Sequence, residues 1–244
     1  MKNATLDLLN QMKLTGMAKA YEGILGLPVN KHPGSHELMA NLTDAELQYR
    51  SQRKMDLYIR MSKLRYRSTL ADIDCSTGRN FTKEQLALLA SDGYLQRGEN
   101  ILITGATGCG KSYLSCAFGH QACVLGYRTL YFNMNLFTEQ ITLAKTDGTL
   151  VKWLTKIKKA RLVIFDDFGL QAMTHTVKLI FLQILEDRYE RAATLICSQL
   201  PVSKWYEFFD EPTLADAILD RITPKAHRIE LKGKSLRKRA EHLS

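Results

Sequence analysis

A strand, a glycine-rich turn and a helix, met in that order between residues 100 and 125, leave few folds open to this chain. NILIT (100–104) has the apolar texture of a buried strand, GATGCGKS (105–112) matches GxxxxGK(S/T) in full, and a helical pattern runs from Lys111 to Leu125. That context is the one in which the pattern binds phosphate. Three glycines let the backbone turn tightly enough to aim several N–H groups at one anion, and the helix N-terminus adds unpaired donors and a positive dipole end. Gly105, Ala106, Thr107, Gly108, Cys109, Gly110, Lys111, Ser112 and Tyr113 are therefore the expected phosphate-binding residues. Lys111 is expected on the β- and γ-phosphates and the Ser112 hydroxyl on Mg²⁺, so ATP and Mg²⁺ are the expected cofactors.

The partner of such a loop is a carboxylate at the end of another buried strand, and LVIFDD (162–167) supplies two. Asp166 is the expected Mg²⁺ ligand, and Asp167 is expected to orient or activate the attacking water. A third strand, LICSQ (195–199), ends in Ser198 and Gln199, either of which can report on the γ-phosphate. Arg221, in a helical stretch, has no evident packing role. A guanidinium of that kind commonly completes the site of a neighbouring subunit, which requires a homo-oligomer. That third strand is expected to begin at Ala193 (193–198), and a further strand is expected at Thr129–Asn133, with helices between. Short apolar strands separated by helices make an α/β fold with a mostly parallel sheet covered on both faces.

The 244 residues, 45% of them hydrophobic, suffice for one such core and a smaller appendage. The appendage reads as helical: one helix over Leu6 to Ile24, then a longer one from about Thr43 to Tyr66. Thr43 and Glu46 have the spacing of a capping box at its start. Along the long helix an apolar stripe adjoins a basic one made by Arg53, Arg60, Lys63 and Arg67, and Arg50 is a further candidate DNA contact. A short helix is expected over Thr82 to Ala90. The expected boundaries are a helical DNA-binding and assembly domain over 1–77, a linker over 78–98, the nucleotide-binding domain over 99–232 and a basic tail over 233–244. With 34 Lys and Arg against 25 Asp and Glu, the chain carries a formal charge of +9. The basic helix, the run from Lys156 to Arg161, and Lys234, Arg237, Lys238 and Arg239 in the tail are candidate contacts to a phosphate backbone. No Cys/His finger and no helix-turn-helix pattern emerges, so sequence-nonspecific binding is expected. The five cysteines, odd in number and without a CxxC pair, read as small buried filler. The N-terminus has neither a signal-peptide core nor an 18-residue apolar span, so a cytoplasmic protein without membrane contact is expected.

GATGCGKSYL (105–114), LVIFDDFG (162–169), LEDRYERAATLICSQLPV (185–202) and LADAILDRI (214–222) together resemble the IstB-type helper ATPases of bacterial insertion sequences. These belong to the AAA+ class and are related to DnaC-type helicase loaders. The N-terminal region, from Met12 to Ala18 and through the basic helix, is similar to that family's non-catalytic domain. The resemblance implies a AAA+ P-loop fold behind a small all-helical N-terminal domain. By the same match Lys111 and Ser112 are loop residues, Asp166 and Asp167 the acidic pair, Ser198 and Gln199 the sensor region, and Arg221 a finger acting in trans. It implies a DNA-stimulated ATPase that oligomerises on duplex DNA with ATP between subunits. Such a protein prepares or delivers target DNA for a cognate transposase, with no DNA cutting of its own. Two other readings use the same motifs: a DnaC-like loader, and a nucleotide-dependent DNA-coating protein that does not hydrolyse ATP. Two departures from the class stand out. The acidic pair is Asp-Asp where many members have Asp-Glu, and only 23 residues follow Arg221, too few for the usual helical lid. Arg237 is a candidate substitute for a lid arginine, and equally a DNA contact.

Overall fold

The computed structural model describes residues 2–233 and 235; Lys234, Arg237, Lys238 and Arg239 of the expected basic tail lie outside the described residues. The chain divides into two compact units, one ending at Leu57 and the other beginning at Tyr58.

In the first unit, helices α1 (Lys2–Gln11) and α2 (Thr15–Leu25) stand where one helix was expected. The break is at Lys13, which takes a left-handed φ of 59°. Helix α3 runs over Ser35–Ser62 and starts eight residues before the expected capping box. Thr43 lies inside it and donates to the carbonyls of Met39 and Ala40. Glu46 instead accepts from the N–H groups of Gly16 and Met17 at 2.7 and 3.1 Å, so its carboxylate serves the open N-terminal turn of α2. Gly16 permits that approach: a Cβ there would stand 2.5 Å from the Ala45 carbonyl oxygen.

The second unit begins with the end of α3, which Lys63 terminates at φ 54°. Helices α4 (Lys83–Ala90) and α5 (Gly93–Arg97) follow, then β1 (Ile101–Gly105), α6 (Lys111–Val124) and β2 (Thr129–Asn133). Next come α7 (Met134–Thr146), α8 (Leu150–Lys158), β3 (Leu162–Phe168), α9 (His175–Arg188) and β4 (Ala193–Ser198). The last elements are α10 (Trp205–Phe209), α11 (Pro212–Ile222) and β5 (His227–Leu231). The short helix expected after Thr82 has Thr82 as its N-cap, its hydroxyl accepting from the Gln85 N–H.

All five strands are parallel, in the order β2-β3-β4-β1-β5. Successive residues of each strand face opposite layers. Ile101, Ile103, Leu162, Ile164 and Leu195 join Phe118 of α6 and Leu95 of α5 on one face. Leu102, Val163, Phe165 and Ile196 join Phe137, Phe181, Trp205 and Ile218 on the other. The second layer is aromatic at its centre, with the Phe165 and Phe181 rings edge-on at 5.1 Å and Phe168 against Trp205 at 4.8 Å. Cys109, Cys116, Cys123 and Cys197 are buried, as filler should be, while Cys75 is half-buried; all five are free thiols. Because every strand points the same way, the C-terminal ends of β1, β2, β3 and β4 share one edge, the edge where α/β sheets bind ligands. Among the described residues no helix is long and apolar enough to cross a membrane.

Candidate active site

The phosphate loop leaves β1 at Gly105 and enters α6 at Lys111, with Gly110 at the N-cap in the left-handed region (φ 93°). Having no side chain, Gly110 offers the first turn of α6 no acceptor, so those N–H groups remain available to an anion. The Lys111 ammonium folds back on its own loop, donating to the carbonyls of Gly105 at 2.8 Å and Ala106 at 2.9 Å. Arg79, in the segment read as linker, donates to the Cys109 carbonyl at 2.6 Å. Ser235 lies against Gly108, whose Cβ would meet its hydroxyl at 2.3 Å.

The acidic pair sits in a β-bulge. Phe165 pairs with Ile196 and Phe168 with Ser198, so β3 carries one residue more than β4 between these two points. Asp167 takes that irregularity with a left-handed φ of 60°. Bulges recur beside active sites because they re-aim a side chain. Asp166 is fully buried, opposite Asn133 in the β2–β3 register. Its Oδ2 accepts from the Tyr131 hydroxyl at 2.6 Å and its Oδ1 from the Asp167 N–H at 2.9 Å. Asp167 Oδ2 accepts from Asn133 Nδ2 at 2.7 Å and lies 3.6 Å from the Arg65 guanidinium. Burial and the neighbouring charge of Asp166 push the Asp167 carboxyl up, against the pull of Arg65 and Asn133.

Ser198 and Gln199 part company. The Ser198 hydroxyl is buried, donating to the Phe168 carbonyl and accepting from the Leu200 N–H, so it closes the bulge. The Gln199 amide oxygen accepts from the Thr107 hydroxyl of the phosphate loop at 2.7 Å.

Arg221 is far from this edge. The Asn100 side chain, just before β1, donates to the Arg221 carbonyl at 3.0 Å, which sets Arg221 at the N-terminal end of the strand whose C-terminal end carries the loop. Its guanidinium pairs with Glu186 at 3.0 Å and lies over the Tyr189 ring, and neither Asp220 nor Asp216 holds it.

The basic residues fall into two classes. Arg53, Arg60, Lys63 and Arg67 are exposed, Arg53 over the Tyr49 ring, while Arg50 is paired with Glu46. In the 156–161 run the surface reading fails at Arg161. Its guanidinium is spent on the carbonyls of Leu95, Gln96 and Arg191, and Lys158 is paired with Asp187. Sequence reasoning missed Arg65, Asn133 and Tyr131. The clue for Asn133 was its place as the polar end of an otherwise apolar strand; Arg65 gave none beyond its charge.

The donor set suits a triphosphate and a divalent cation. Open N–H groups at a glycine-capped helix start, an ammonium already turned toward the loop and a hydroxyl at Ser112 are anion- and Mg²⁺-facing chemistry. Mg²⁺ is usually held by one or two protein oxygens plus phosphates, and Ser112 with Asp166 can supply them. Among the described residues no group of three or more His, Cys, Asp or Glu forms a separate metal cage.

The comparisons with known proteins agree in direction. Residues 7–244 match the family described as IstB-like ATP binding protein. A Sinorhizobium fredii protein named for insertion-sequence ATP binding is 38% identical over 234 residues, covering 96% of each chain. The corresponding protein of insertion sequence IS21 from Pseudomonas aeruginosa is 27% identical over 230 residues, covering 94% of this chain and 87% of that one. Among solved structures, the DnaC helicase loader aligns with TM-score 0.56 at 14% identity, over 68% of this chain and 98% of that one. AMPPCP-bound DnaA from Aquifex aeolicus aligns with TM-score 0.59 at 20% identity, over 75% and 56%. These two likenesses concern the fold.

Proposed function

The chain belongs to the IstB-like ATP-binding family, of the AAA+ class, and from that premise we propose that it is a DNA-stimulated ATPase that assembles on duplex DNA and prepares target DNA for a transposase. One observation carries this reading: the phosphate loop, the acidic pair and Gln199 share one edge of the sheet, while Arg221 stands at the opposite end. That separation supports a reading in which each loop takes its guanidinium from another copy.

In this mechanism the loop N–H groups and Lys111 hold the β- and γ-phosphates, with Lys111 exchanging its loop carbonyls for phosphate oxygens. Ser112 and Asp166 would hold Mg²⁺, which would supply neutralisation of the phosphate charge. Asp167 orients water, and Gln199, linked to Thr107, reads whether the loop is filled. Arg221 of an adjacent subunit leaves Glu186 and stabilises charge on the transferred group. The exposed cations Arg53, Arg60, Lys63 and Arg67 contact DNA phosphates without reading bases. The fold likeness to a helicase loader supports a second reading in which single-stranded DNA is the better stimulant.

The test mixes two inactive variants. Lys111→Ala abolishes nucleotide binding and Arg221→Ala abolishes hydrolysis; mixed on duplex DNA, they are expected to recover part of the ATPase activity, because Lys111→Ala subunits still present Arg221. No recovery from folded, co-assembling variants refutes the trans role. Turnover and assembly that ignore DNA altogether refute the reading as a whole.

A further inference from the structure

The segment that leaves α3 is fastened to the nucleotide-binding elements at several points. Leu64 packs on Gly119 of α6, where a Cβ would stand 2.6 Å from Leu64 Cδ2. The Ser68 hydroxyl donates to the Tyr113 carbonyl at 2.9 Å, and the Tyr66 and Tyr113 rings are 6.0 Å apart. These contacts fix the backbone on both sides of Arg65.

From that fixed backbone, Arg65 Nη1 reaches to 3.6 Å from Asp167 Oδ2. The same guanidinium acts electrostatically on Tyr131, whose hydroxyl donates to Asp166 Oδ2. The same Asp167 oxygen already accepts from Asn133. One carboxylate oxygen thus has a hydrogen-bond donor from the sheet and an ion-pair partner from the segment that follows α3. The Arg65 side chain remains 43% exposed, against 25% for Asp167, and exposed Arg60, Lys63 and Arg67 flank it in sequence. A guanidinium in that position can exchange a carboxylate for a phosphate oxygen, since both accept its paired N–H groups.

We propose that Arg65 is a positioning residue that restrains Asp167 in the DNA-free protein and releases it when a DNA phosphate takes the guanidinium. The inference rests on the ATPase reading and adds to it the route by which DNA reaches the hydrolytic site. Arg65 acts through Asp167 and has no contact with the phosphate loop in the contacts described above, so its effect falls on turnover and not on nucleotide affinity.

The experiment measures ATP turnover of the full chain with and without duplex DNA for the unmodified protein, Arg65→Ala, Arg65→Lys and Tyr131→Phe. A half-exposed ion pair is worth at most about a factor of five in an equilibrium, so Arg65→Ala is expected to raise DNA-free kcat by up to about fivefold. The ratio of DNA-stimulated to basal turnover falls by the same factor, and KM for ATP stays unchanged. Arg65→Lys, which keeps the charge, restores most of the restraint. Tyr131→Phe cuts the hydrogen bond to Asp166 and leaves the Arg65–Asp167 pair in place, so it is expected to lower turnover; a rise equal to that of Arg65→Ala overturns the assignment of the restraint to Asp167. Thermal unfolding of each variant confirms that it is folded; if Arg65→Ala is not, Arg65→Lys and an Arg65→Gln variant carry the comparison. Basal turnover unchanged or lowered in Arg65→Ala and Arg65→Gln, with DNA stimulation intact, overturns the proposal. If the unmodified protein does not hydrolyse ATP, the functional reading falls and this inference with it.

Discussion

Replacing Gly105 with alanine tests whether the phosphate loop depends on close backbone packing where β1 ends. Gly105 pairs with Leu231 across the β1–β5 ladder and has φ 147°. A Cβ there would lie 2.3 Å from the Leu231 carbonyl oxygen and 2.9 Å from Cys109 Sγ. The nearer neighbour is backbone, and it must retreat by about 0.7 Å merely to reach 3.0 Å, the limit that real Cβ atoms respect. Forcing a methyl into filled space costs about 1–3 kcal/mol, and holding a non-glycine residue at such a φ costs a similar amount. The expected loss is therefore about 4 kcal/mol. Gly148 provides the comparison, since it has φ 69° but no atom within 4 Å of its would-be Cβ. Gly148→Ala should cost only about 1 kcal/mol, the backbone contribution alone. Equilibrium urea unfolding of the full chain measures both, and nucleotide binding should weaken in the first variant only. Equal losses in the two variants, or a loss below about 1 kcal/mol for Gly105→Ala, would refute the argument from crowding.

Two further outcomes follow from buried and paired charges. Arg188 is fully buried with no carboxylate partner among the described residues, and burial lowers its pKa to about 9; its guanidinium donates to the carbonyls of Ile157, Ala160, Arg161 and Ala193 and to the Thr194 hydroxyl. Arg188→Leu strands those acceptors and should cost about 3 kcal/mol, read as a lower unfolding midpoint in calorimetry; an unchanged midpoint would show that the carbonyls find other donors. Glu99 is held at about pH 2 by its bonds to Arg97 and by His227. Its folded-state pKa lies below the unfolded value, so its contribution is complete above the ordinary glutamate range and is lost as pH falls toward 2. Solvent screening limits that contribution to about 1 kcal/mol, so Glu99→Gln should lower stability at pH 7 by that much and match the unmodified protein near pH 2.

What the sequence made legible was local. Strands β1 to β4 announce themselves as short apolar runs, and the loop and acidic pair as fixed spacings, because each depends on neighbours a few residues away. β5 was missed: HRIEL buries only Ile229 and Leu231, and at a sheet edge its charged residues hide the alternation. The Thr43–Glu46 spacing misled because a carboxylate can serve any open helix N-terminus, and α2 presented one thirty residues away. Arg161 and Arg65 look alike as letters, yet one is consumed by carbonyls and the other meets an aspartate about a hundred positions distant. Only the strand order brings those partners into reach. That Ser198 bonds back into the bulge of β3 while Gln199 meets the phosphate loop is also something no spacing rule reveals.

Placing Arg221 and the phosphate loop at opposite ends of β1 gives each subunit a donor pole and an acceptor pole. A twofold dimer sets like surfaces against each other, so a single pair that completes one site this way leaves one loop without a guanidinium and one guanidinium without a loop. On the proposed trans role of Arg221, growth is by head-to-tail addition, and every row that does not close on itself keeps one unfinished hydrolytic centre at its end. On the same proposal that terminal centre holds its nucleotide longest, which makes the end of the row the last place to let go of DNA.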